Sequence, residues 1–208
     1  LYANHKNMTV KLLNFIFGCV FLVLYTSGQE NKLNNDSVVI KNYDTAFVSG
    51  QTDSLVIYMV QEIPSDLCEQ TQLKRLSIYG YDCDLPGHCT GIGELPLCIC
   101  NMTNLEYLIY GVTGMTFIPE EIKNLKKLKV LCLSDNSSLV DIGNIKYLED
   151  LEVLAFFGCN SLKNIAADIS HLKKLKELNL DGCNSITANE ISALKKVIPK
   201  DCKITYDE

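Results

Sequence analysis

Five stretches of the chain place apolar residues at the first, fourth and sixth of six positions: Leu73-Lys-Arg-Leu76-Ser-Ile78, Leu105-Glu-Tyr-Leu108-Ile-Tyr110, Leu128-Lys-Val-Leu131-Cys-Leu133, Leu151-Glu-Val-Leu154-Ala-Phe156 and Leu175-Lys-Glu-Leu178-Asn-Leu180. Their first residues lie 32, 23, 23 and 24 positions apart. The fourth and sixth positions share a period of two, which predicts a short strand in each unit with those side chains on one buried face. A second pattern stands ten residues ahead of four of these starts: Ile63-Pro-Ser-Asp-Leu67, Leu95-Pro-Leu-Cys-Ile99, Ile118-Pro-Glu-Glu-Ile122 and Ile165-Ala-Ala-Asp-Ile169. Proline, with a fixed φ and no N–H, suits the start of a short helix or 3₁₀ turn, and apolar spacings of four then three point one stripe inward. Each unit therefore runs strand, turn, helical return. The 32-residue interval keeps its return segment, so its extra residues fall between Tyr81 and Glu94, on the side away from the strands.

One such unit cannot bury its apolar side alone, and stacking it on its neighbours completes a shared core. The L-x-x-L-x-L pattern at these intervals resembles the leucine-rich-repeat family, from about Leu55 to the C-terminus. The resemblance implies an α/β solenoid, a right-handed horseshoe with a parallel concave β-sheet and short helical or 3₁₀ convex segments. It also implies an inward Asn or Cys at the ninth position of each unit, where this chain has Tyr81, Thr113, Asn136, Cys159 and Cys183. Tyr81 and Thr113 depart from that pattern and put the regularity of the first two turns in question. The Gly158-Cys-Asn-Ser-Leu162 turn is similar to repeats of plant resistance proteins.

Ahead of the repeats, Ser54–Val60 (SLVIYMV) has strand character and suits an irregular first strand. Residues 29–53 are a polar lead or N-terminal cap, and residues 54–208 hold five to six repeats closed by a C-terminal strand within 198–206. Leu12–Tyr25 is almost wholly apolar, follows Lys6 and Lys11, and precedes Thr26, Ser27 and Gly28. This is the pattern of a signal peptide, residues 1–28, with residues 1–7 as upstream sequence before Met8; the alternative is an uncleaved membrane anchor. The expected location is secreted or cell-surface, with no membrane insertion after cleavage.

Charge narrows the partners. The chain carries a formal charge of −6, and removing residues 1–28 takes away Lys6 and Lys11 and no acid, which makes it −8. An acidic surface disfavours nucleic acid and anionic membranes, so neither is expected. Of the ten cysteines, nine remain without Cys19, and five of them (Cys68, Cys83, Cys89, Cys98, Cys100) cluster between residues 68 and 100. In an oxidising compartment such a cluster suggests disulfides. Aligning the return segments puts Cys68 and Cys100 at equivalent positions, five residues after Ile63 and Leu95, and so pairs them. The spacing of these cysteines with His88 matches no standard zinc pattern, so no metal or other cofactor is expected. Asn35 and Asn101 are candidate glycosylation sites; the sequon at Asn136 falls on an inward position.

No nucleophile elbow, zinc-protease helix, P-loop or dinucleotide fingerprint occurs, and no catalytic residue is assigned. Cys132 with His171 is the one nucleophile pair to weigh, and the repeat register puts them on opposite sides. The informative positions are the outward ones, three, five, seven and eight of each unit. They predict a partner-binding concave face built from Tyr79, Tyr107, Ile109, Cys132, Val153 and Phe157, turning acidic at Glu177 and Asp181. Contiguous apolar surface with aromatic anchors suits an extracellular protein partner; stacking on a polysaccharide is the alternative.

Overall fold

The computed structural model describes residues 32–33, 37–41, 53–60, 63, 65–80 and 92–207. Among the described residues nine strands form one sheet in chain order: β1 (Lys32–Leu33), β2 (Ser37–Lys41), β3 (Ser54–Val60), β4 (Arg75–Gly80), β5 (Tyr107–Gly111), β6 (Val130–Cys132), β7 (Val153–Ala155), β8 (Glu177–Asn179) and β9 (Lys203–Thr205). The β1–β2 pairing is antiparallel and every later one parallel. The stretch read as a polar lead or cap thus contributes two strands that continue the sheet, and residues 1–31 lie outside the described residues.

Register follows the leucines. Leu76, Leu108, Leu131 and Leu154 are successive partners, and Leu178 and Ile204 extend the row. All but Ile204 are at most 1% exposed. Each fully buried leucine contributes about 1.5–3 kcal/mol, so one continuous ladder of apolar side chains holds the sheet to its return segments. Those segments are η1 (Ser65–Glu69), α1 (Leu97–Cys100), η2 (Glu120–Asn124), η3 (Gly143–Tyr147), α2 (Ala166–Ile169) and α3 (Ala188–Val197), stacked in order from α1 to α3. The proline expectation holds for α1 and η2, which start directly after Pro96 and Pro119.

Two return segments lie beyond the four patterns recognised in the sequence. In η3 the stripe is Ile142 and Ile145, spaced three apart with no proline, so the spacing rule passes over it. The longest helix among the described residues, α3, opens on a capping-box sequence, Thr187-Ala-Asn-Glu190, a signal that identifies a helix start. The Thr187 hydroxyl accepts from the Glu190 N–H, while the Glu190 carboxylate reaches across to the Ala166 N–H at 2.9 Å and ties α3 to the preceding unit.

The eighth position of the repeat turns the chain off the sheet with positive φ, at Val112 and Asp135 (both 57°), Gly158 (71°) and Gly182 (73°). A β-branched residue there crowds its own backbone, at a cost of about 1–2 kcal/mol. Val112→Gly is therefore expected to stabilise the fold by about 1 kcal/mol, less than the full relief because glycine also frees the unfolded chain. A urea midpoint that stays put or falls contradicts this reading of the turn.

Candidate functional site

The turns behind the sheet are fixed first. Asn136, fully buried, accepts at Oδ1 from the Thr113 N–H (2.9 Å), the Thr113 hydroxyl (2.8 Å) and the Gly114 N–H (3.1 Å), and donates from Nδ2 to the carbonyls of Tyr110 (2.8 Å) and Leu133 (3.0 Å). The Cys159 and Cys183 thiols hold the same position and donate to the Leu133 and Phe156 carbonyls at 3.1 and 2.9 Å. Thr113 is thus not an irregularity: its hydroxyl is spent on the asparagine of the next unit. Tyr81 lies outside the described residues, as do His88 and the extra residues after Tyr81, apart from Ile92 and Gly93. Tyr110, standing where the pattern favours leucine, donates its hydroxyl to the Gly93 and Glu94 carbonyls and so anchors the end of the long interval.

Parallel, in-register strands carry the outward side chains in columns across the concave face. Position three runs Arg75, Tyr107, Val130, Val153, Glu177, Lys203, and position five Ser77, Ile109, Cys132, Ala155, Asn179, Thr205. Position seven starts with Tyr79 beside Gly111 and goes on through Ser134, Phe157 and Asp181 to Asp207. Of the residues expected to meet a partner, Tyr79, Tyr107, Val153, Phe157, Glu177 and Asp181 are partly exposed. Ile109 and Cys132 are corrected: each is 6% exposed, and Ala155 beside them is fully buried. Strands about 4.8 Å apart press the middle column into itself, and the flanking columns close over it. Ile109, Cys132 and Ala155 form a small cluster with Tyr79 and Tyr107 packed against it. They are the floor on which the aromatic rings rest, and the accessible surface is the rings.

Chemistry at this floor is muted. Burial pushes the Cys132 thiol up despite the hydrogen bond it shares with Ser134 Oγ at 3.1 Å, so the nucleophilic thiolate is scarce at neutral pH. His171 is exposed just after α2, on the convex side. The other free thiols among the described residues are raised as well, chiefly by burial: Cys100 to about 12, Cys183 and Cys202 to about 11, and Cys159 higher still.

The disulfide is also corrected. Cys68 bonds Cys98, with Cα atoms 5.3 Å apart, and Cys100 is a free, fully buried core residue. Equivalent positions on stacked parallel segments point the same way and do not face each other. A bridge needs the forward side of one segment and the backward side of the next. Cys68 follows the buried Leu67 and Cys98 precedes the buried Ile99, which meets that condition. Of the sequons, Asn101 is exposed and accepts at Oδ1 from Asn124 Nδ2 at 3.4 Å, Asn136 is enclosed, and Asn35 lies outside the described residues.

The last column entries, Lys203, Thr205 and Asp207, are concave-face residues that the repeat pattern does not reach, because the final unit lacks its first leucine. Extending the alternation through Lys203-Ile-Thr-Tyr-Asp207 finds them. No helix among the described residues is long and apolar enough to cross a membrane.

The family profile described as "Leucine-rich repeat region" matches residues 62–206. The chain belongs to the leucine-rich repeat family. Among solved structures it is similar to a leucine-rich-repeat protein of Leptospira interrogans, at 27% identity and a TM-score of 0.61 over 74% of this chain and 37% of that one. Among characterised sequences it is similar to disease resistance protein RML1B of Arabidopsis thaliana, 37% identical over 81 residues, which cover 39% of this chain and 7% of the relative. A putative disease resistance protein of the same plant, At4g19050, is 30% identical over 91 residues, 44% of this chain and 8% of its own length. The chain thus spans less than a tenth of the two plant relatives. Leucine-rich-repeat domains are protein-interaction scaffolds, typically without catalytic activity of their own.

Proposed function

We propose that this chain recognises a protein through the concave face of its sheet, with Tyr79, Tyr107 and Phe157 as anchors and Val130 and Val153 between them. The observation that carries the reading is the packing of the two tyrosines on the Ile109, Cys132 and Ala155 floor. Rings held by a packed floor lose little freedom on binding, and contact energy concentrates in such half-buried aromatics. The acidic residues Glu177 and Asp181 at one end favour a partner with a basic rim. Support for an exported protein comes from the sequence alone, in the apolar run Leu12–Tyr25 with its basic lead.

The test is a binding screen of residues 29–208 against extracellular proteins and polysaccharides, run beside Tyr107→Asp with Phe157→Asp. A folded double variant, checked by circular dichroism, is expected to lose a protein ligand by a hundredfold or more, since two anchors contribute about 2 kcal/mol each. Equal binding by the folded variant moves the site off this face, and a polysaccharide as the ligand replaces the partner class.

A further inference from the structure

Two buried side-chain oxygens among the described residues have no hydrogen-bond partner, and both lie at the same end of the concave face: Glu177 Oε2 and Thr205 Oγ1. They stand on adjacent strands, Glu177 in the position-three column of β8 opposite Lys203, and Thr205 in the position-five column of β9 opposite Asn179. A carboxylate oxygen shut from water without a donor is an expensive arrangement, and native proteins keep such atoms where something else supplies the donor. Lys203, the nearest cation by register, forms no ion pair with Glu177. The same end carries Asp181, and Asp207, whose Oδ2 accepts from the Gly182 N–H. Glu177 as a residue is only partly buried, so rotation of its side chain brings the carboxylate to the open face.

We propose that this end is a subsite for an arginine side chain of the protein ligand. The proposal rests on the concave-face reading above and names the chemistry that the ligand brings to it. A guanidinium offers several N–H donors in a planar fork, enough to serve the Glu177 carboxylate and the Thr205 hydroxyl together; an ammonium is a point charge. Its stem leads back over Val153 toward Phe157, so the ligand segment pairs an arginine with an aromatic or aliphatic residue a short distance along. The neighbouring column residues are Val130 and Val153, and valine at 177 continues the row without an orphaned oxygen.

Two measurements on the full chain test this. The first is thermal unfolding of Glu177→Val, expected to raise Tm by a few degrees; a fall of that size makes Glu177 a structural residue and overturns the proposal. The second is selection from a phage-displayed library of random peptides on the parent, on Glu177→Val and on Tyr107→Asp with Phe157→Asp. The parent is expected to enrich peptides with arginine beside an apolar residue, Glu177→Val to bind those peptides roughly tenfold or more weakly, and the aromatic variant to enrich none of them. Peptides without arginine that still need Tyr107 and Phe157 overturn the subsite and leave the concave face standing. Peptides indifferent to Tyr107 and Phe157 overturn both, as does a parent that enriches nothing over a scrambled target.

Discussion

Asn136→Ala is expected to cost on the order of 3–5 kcal/mol, a large part of the 5–15 kcal/mol that holds an ordinary domain folded. The asparagine satisfies five groups: two N–H donors and a hydroxyl at Thr113 and Gly114, and the carbonyls of Tyr110 and Leu133. Alanine leaves four of them without a partner in a buried turn, while the Leu133 carbonyl keeps the Cys159 thiol as its donor. Each orphan costs about 1–3 kcal/mol, and the sum is held below the simple total because the turn relaxes. Asn136→Cys falls between, since a thiol here donates to one carbonyl, as Cys159 and Cys183 do, and leaves the donors of Thr113 and Gly114 unserved. Urea unfolding of the three proteins checks the order. Alanine as stable as the parent means that the ladder of inward polar residues does not hold the turns.

Gly80→Ala is expected to lose about 3 kcal/mol or more, for a different reason. A Cβ on Gly80 falls within van der Waals overlap of the Val112 carbonyl, 2.9 Å from its carbon and 3.3 Å from the Thr113 Cα. All three atoms are backbone, so no rotamer change relieves the overlap, and β4 must separate from the turn that leaves β5. Gly143→Ala is the control. Its Cβ lies 3.3 Å from Asp141 Oδ1, a side-chain atom that accepts from the Gly143 N–H at 2.9 Å and has to give by only a few tenths of an ångström, and the expected change is under about 1 kcal/mol. Equal losses at the two sites contradict the close approach as the cause.

What the sequence made legible was whatever repeats. The leucine spacing gives the strands, their parallel order and the inward position of Asn136, because a side chain in a stacked array meets its own equivalents. Legibility stops where a property depends on the relation between neighbouring units. The Cys68–Cys98 bond joins unlike positions because facing sides of parallel segments are never equivalent. Ile109 and Cys132 alternate outward along their strands yet are closed over by the columns beside them, which alternation in one strand cannot reveal. The short stripe of η3 and the helix α3 escaped the proline-led pattern, although Thr187 and Glu190 announce the latter. At the candidate site, the partly exposed members follow from position three and position seven alone; the role of Thr205 needs the register of β9 against β8.

The central question for this molecule is which face of the solenoid meets the partner. Hydroxyl-radical footprinting of the full chain, alone and with the ligand recovered from the screen, tests this directly, because tyrosine and phenylalanine side chains are labelled in proportion to their exposure. The concave-face account predicts protection at Tyr79, Tyr107 and Phe157, with Phe117, 42% exposed away from the concave columns, labelled as before. Protection of Phe117 and of the exposed Leu97 and Val140, with the three anchors unchanged, contradicts it.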